Sequence, residues 1–223
     1  MKLFKNILLS VVVLALVAGF AACDFAPKGY EATGGEYFTY ILLEDGTYEV
    51  AANAEAELPA LLCLPTEYNG ASVTAVAANG FKDATSVTEV RIPENIAVIG
   101  ENAFRGCTAL ATLYFYKGVT EIKAGAFYGC TALEKLELPK SLVVLGDSAF
   151  GMCTGLTKVT LSDKVTTVGE YCFAYCTNVS KVYIPHNVQN LAATAFAGVE
   201  AEFEISASNP YYKLDENGLP IAK

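Results

Sequence analysis

The chain has 223 residues, with 15 Lys and Arg against 24 Asp and Glu, a single His and no Trp. A hydrophobic share of 53% with only 17% charged residues excludes a disordered chain, which is poor in apolar residues and rich in charge. The formal charge of −9 argues against nucleic acid, which wants a basic face, and one His argues against His-based metal sites and Ser-His-Asp chemistry.

The first 22 residues read as an address. Lys2 and Lys5 precede an apolar run from Ile7 to Ala22, broken only by Ser10 and Gly19. That is the pattern of a secretory signal peptide. The run is short of the roughly 20 residues of a comfortable membrane span and has no basic flank on its far side. It ends in Phe20-Ala21-Ala22-Cys23, which resembles the bacterial lipobox, with Phe20 where the box usually has Leu. The resemblance implies that Cys23 is lipidated and becomes the new N-terminus. Ordinary cleavage after a small residue and an uncleaved anchor are the alternatives. Removing residues 1–22 takes away two Lys and no acid, which moves the charge from −9 to −11. Such a chain is not drawn to anionic lipid by its own charge, so the acyl anchor is what would hold it to a membrane. Residues 23–35, with Pro27, Gly29, Gly34 and Gly35, read as a lipidated tether.

Residues 36–59 read as an N-terminal cap hairpin. Apolar runs on either side of Glu44-Asp45-Gly46 carry the Asp-Gly turn signal. Tyr68-Asn69-Gly70 predicts a second hairpin joining Leu62–Pro65 to Val73–Val76.

From there the chain repeats. Phe81, Phe104, Phe127, Phe150, Phe173 and Phe196 are each 23 residues apart. Cys107, Cys130, Cys153 and Cys176 follow their Phe by three, and Leu110, Leu133 and Leu156 follow by six. Further apolar columns keep the same step, among them Ile96, Val119, Leu142, Val165 and Val188. Leu136-x-Leu138 shows the alternation of a short strand with one buried face, and Pro93, Pro139 and Pro185 stop such strands. Gly100, Gly146 and Gly169 are expected at turns that want backbone freedom. One unit of this length cannot bury its own apolar edge, but stacked units can. The expected fold is a repeat solenoid, with a parallel β-sheet on one face and turns or short helices on the other.

The unit Phe127-x-x-Cys130-x-x-Leu133-x-x-Leu136-x-Leu138-Pro139, followed by Leu142-x-x-Leu145-Gly146, resembles the BspA-like bacterial leucine-rich repeats. That class occurs mostly in cell-surface proteins. The resemblance covers about residues 60–206, taken here as the leucine-rich repeat solenoid. Residues 207–223, with Asn209-Pro210 and Asn217-Gly218, read as a C-terminal cap.

Seven Cys in a secreted chain raise the question of disulfides. Four of them share one repeat column whose other members are Ala84 and Val199, and Cys172 falls in a column of alanines. A ladder of reduced, buried thiols is therefore favoured over adjacent-turn bridges, and Cys172-x-x-x-Cys176 lacks a second pair of zinc ligands. His186 sits in a solvated turn column with Glu94, Lys117, Lys140 and Asp163. No base–nucleophile pair is visible, so neither an enzyme nor a cofactor or metal is expected.

The strand positions between buried residues point outward. One such column reads Glu89, Thr112, Lys135, Lys158, Lys181, and the next Arg91, Tyr114, Glu137, Thr160, Tyr183. Arg91, Tyr114, Lys135, Lys158, Lys181 and Tyr183 form the expected ligand-binding strip, since Tyr and Arg are enriched at binding hot spots. A solvated face with Glu134 and Glu137 offsetting the lysines is the plainer reading. The expected function is a monomeric, lipid-anchored cell-surface protein that binds a protein or glycan and has no nucleic-acid partner. A structural envelope lipoprotein without an external ligand is the alternative. Asp24 beside the anchor resembles a retention signal of some Gram-negative bacteria, which would place the chain at a periplasmic face.

Overall fold

The computed structural model describes residues 33–223. The expected signal peptide, Cys23 and most of the tether lie outside the described residues. The rest is a β-solenoid of stacked 23-residue turns, with parallel ladders on two walls and tight turns between them.

One wall carries the strands expected from the Leu-x-Leu alternation. Leu61–Cys63, Glu89–Ile92 and Thr112–Phe115 pair in parallel, as do Lys158–Thr160, Lys181–Ile184 and Glu202–Ile205. Val90, Leu113, Val159 and Val182 point inward and are buried. Pro93 and Pro185 follow directly on two of these strands, as their missing N–H dictates.

The opposite wall holds a second ladder where turns or short helices were expected. Val98–Ile99, Glu121–Ile122, Val144–Leu145, Thr167–Val168 and Asn190–Leu191 pair in parallel, two residues per turn. Alternation cannot be read from two residues, which is why the sequence shows only the spacing. The ladder runs on into Ala71–Val76 and the hairpin of Phe38–Leu42 with Tyr48–Ala52. Among the described residues that hairpin ends the ladder on its N-terminal side. The Asn69-Gly70 turn joins Glu67–Tyr68 to Ala71–Val76, with Asn69 and Gly70 both at positive φ. Leu62–Pro65 is not its first limb, because Leu61–Cys63 belongs to the other wall.

The core is a spine of parallel rings. Phe81, Phe104, Phe127, Phe150, Phe173 and Phe196 stack with centroids 5.1–5.5 Å apart and planes within 8°. This spacing exceeds the roughly 4.8 Å between paired strands by only a few tenths of an ångström, so rings and ladders keep step. Phe38 closes the stack edge-on at one end and Phe203 at the other. Edge contacts of this kind satisfy the ring quadrupole where no further ring follows.

The thiols form a second column beside the rings. Cys107, Cys130, Cys153 and Cys176 donate Sγ–H to the carbonyls of Phe81, Phe104, Phe127 and Phe150, at 3.2–3.4 Å. All six described cysteines are buried, and Cys107, Cys130, Cys153, Cys172 and Cys176 form no disulfide. Burial pushes the Cys107 thiol up to about 11 and that of Cys176 to about 12. The column is reduced packing material.

Gly100 and Gly146 serve a purpose other than backbone freedom. A Cβ on Gly100 would lie 2.5 Å from the Val76 carbonyl oxygen, and one on Gly146 would lie 2.7 Å from the Ala124 nitrogen. They admit the preceding turn, not a left-handed backbone. The left-handed sites recur on other columns, one of them Asp83, Gly106, Gly129, Met152, Tyr175 and Gly198.

Candidate functional site

The strand wall is the face that sequence reasoning singles out, and the structure divides its six residues. Tyr114 is about half exposed, and Lys135 and Lys158 are exposed. Lys158 stands directly beside Lys181, and Tyr183 beside Thr160, on paired strands. Lys181 is partly covered and pairs with Glu204 at 3.2 Å. That hydrogen bond, helped by the charges of Glu204 and Glu202, raises its pKa. The three lysines are therefore not equivalent: Lys181 has a carboxylate partner on the next turn.

Arg91 does not point into solvent. It is 3% exposed, and its guanidinium lies 2.7 Å from the Glu89 carboxylate, two residues along the same strand. The Tyr114 ring covers it, with the centroid 5.6 Å from the guanidinium carbon. Cys63, its register partner, is buried as well, and Thr33 bonds both Leu61 and Cys63 at this edge. The Glu89 carboxylate and the Tyr114 ring thus take Arg91 out of the strip.

The strip is also interrupted. No strand forms over residues 134–138, and no backbone hydrogen bond joins residues 135–138 to the turn on either side. At its start Thr157 donates its N–H and its hydroxyl to the Glu134 carbonyl, at 3.4 and 3.5 Å. A depression of about 720 Å³ opens here, lined by residues of this turn and the next, with Tyr183 at its far side. The composition explains the gap. Glu134-Lys135-Leu136-Glu137-Leu138 combines three charged residues with no β-branched or aromatic one; Leu61–Cys63 also lacks these but is uncharged and pairs, and each later strand of this wall has at least one. That signal is in the sequence, where the Leu-x-Leu alternation masks it.

His186 is exposed in its turn. Among the described residues no group of three or more His, Cys, Asp or Glu side chains is placed to hold a metal ion, and no helix is long and apolar enough to cross a membrane.

Known proteins place this architecture. The BspA type leucine-rich repeat region matches residues 74–201 in six copies, and the chain belongs to that family. Among solved structures it is similar to a leucine-rich repeat protein of T. pallidum, with 26% identity and a TM-score of 0.66, covering 78% of this chain and 86% of that one. A leucine-rich repeat protein from Bacteroides ovatus is 26% identical, with a TM-score of 0.62, over 80% of this chain and 54% of its own. The pneumococcal vaccine antigen PcpA is 25% identical, with a TM-score of 0.69, over 83% of this chain and 52% of its own. The chain thus spans most of the first and about half of the other two. No curated protein matches it.

Proposed function

We propose that this chain is a lipid-anchored recognition protein of the bacterial cell surface, binding a protein or glycan through its strand wall. The observation that carries the reading is the row of exposed Lys135 and Lys158 beside Lys181, flanked by Tyr114 and Tyr183, on one side of a rigid solenoid. Extended repeat surfaces suit such a role, and fold by itself does not assign one. Membership of a bacterial repeat family and likeness to a pneumococcal vaccine antigen support it. Cys23 is the proposed lipid attachment site.

The test is a binding array of matrix proteins, mucins and glycans, probed with the purified full-length chain and with a Lys135→Glu/Lys158→Glu/Lys181→Glu variant. A saturable hit lost in the variant supports the reading. A folded chain with no hit favours an envelope scaffold instead. Labelling cells with a fatty-acid probe checks the anchor: Cys23→Ala should abolish label on this protein, and retained label overturns the assignment. Protease added to intact cells should cut a surface protein and spare one at a periplasmic face.

A further inference from the structure

We infer that the break in the strand wall is the ligand's seat, and that its ligand is an extended, acidic peptide segment. This rests on the strand wall being the recognition surface, and it narrows both the place and the chemistry.

Three observations converge on residues 134–140. The peptide groups of Lys135–Leu138 have no ladder partners, although the turns on both sides are held in register by the ring stack. The strand edges of Thr112–Phe115 and Lys158–Thr160 face this gap, and unpaired edges are what an incoming peptide backbone recognises. The depression at this break is lined by Lys135, Lys140, Lys158 and Lys164. None of the four is in an ion pair: those among the described residues are Arg91–Glu89 and Lys181–Glu204. Four ammonium groups without carboxylate partners in a chain of net negative charge mark where an acidic partner fits.

Glu134, Glu137 and Asp163 share the same rim. They decide between peptide and glycan. A continuous polyanion, such as a sulfated glycan, sets its charge against all three. An extended peptide presents one face only at every second residue, about 6.8 Å apart, so its carboxylates meet the lysines while its backbone meets the free peptide groups. Leu138 and Tyr183 offer apolar surface for the side chains between.

The probe is a fluorescent decapeptide of alternating Glu and Thr, titrated to millimolar concentration against the full chain in detergent. The same peptide N-methylated at alternate amides, and heparin, are run beside it. Binding is read by anisotropy and by hydrogen exchange over residues 134–140. The expected result is saturable binding that slows exchange in that segment, weakens about tenfold or more in Lys158→Glu/Lys164→Glu, and is lost on N-methylation. Lys123→Glu, on the other wall, should bind as the parent does. Heparin binding without peptide binding overturns the inference, as does peptide binding that ignores N-methylation, or none at all. If the peptide fails while an array ligand is lost in the triple lysine variant, recognition by this wall stands and this inference falls. If both fail, the recognition reading falls with it.

Discussion

The two walls of the solenoid obey different rules. The short ladder has two residues per turn and runs unbroken from Ala71–Val76 to Asn190–Leu191. The strand wall has up to four residues per turn and parts at residues 134–138. More hydrogen bonds per turn did not give the more continuous wall. The difference lies in what stands behind each position. The short ladder sits beside the glycines that let turns touch backbone to backbone, as at Gly100 and Gly146. The strand wall hangs on side chains, and one turn of poor strand formers is enough to open it. The ring spine beneath passes through the break unchanged, with Phe127 and Phe150 5.1 Å apart. Register is held by the interior, which leaves the strand wall free to vary.

The largest effect expected from this contrast is on the spine. Phe150→Ala removes a fully buried ring stacked on both sides and should cost about 3–5 kcal/mol, read as a fall in the urea midpoint. A shift within error would mean that the rings do not hold the register. The thiol column adds a pH dependence. Burial raises the folded pKa of Cys107 from the ordinary 9.0 to about 11 and that of Cys176 to about 12. In the unfolded chain these thiols ionise first. Their contribution is therefore intact below about pH 9 and is lost as pH rises through the folded values. Midpoints that hold flat from pH 8 to 11 in this chain would contradict the buried ladder.

Gly146→Ala tests the backbone contact behind the short ladder. Its Cβ meets backbone atoms of the preceding turn, so overpacking should cost about 1–3 kcal/mol. No loss of midpoint would show that the turns can separate cheaply. Met152→Gly is smaller and of opposite sign. Met152 is exposed and sits at φ 58°, in a column otherwise partly glycine. Relief of that strain should raise stability by up to about 1 kcal/mol. A loss would mean that the methionine side chain contributes more than its backbone costs. Smallest of all, Glu137→Thr should change stability by only a few tenths of a kcal/mol, while slowing exchange at its neighbours as the wall begins to close.

Much of this was legible in the residues. The 23-residue step of Phe, Cys and Leu gave the stacking, and Pro93 and Pro185 marked strand ends. The second ladder was not legible, because its two-residue strands leave no alternation to detect. Arg91 departs from the expected strip because outward parity along a strand says nothing of a carboxylate two residues away that folds the guanidinium down. At Lys135–Leu138 two signals conflict, since the Leu-x-Leu alternation predicts a strand and the run of Glu and Lys does not. Only three-dimensional neighbours show that the turn fails to pair.

Hydrogen exchange of the unliganded chain tests the central claim most directly. Amides of Lys135–Leu138 should exchange fast, while those of Val144–Leu145 in the same turn stay protected, as do Thr112 and Tyr116 on one side and Leu161 on the other, whose N–H groups bond Thr88, Ile92 and Tyr183 on the turns away from the break. Equal protection across all these amides would mean that the strand wall is closed, and that the site assigned to its break does not exist.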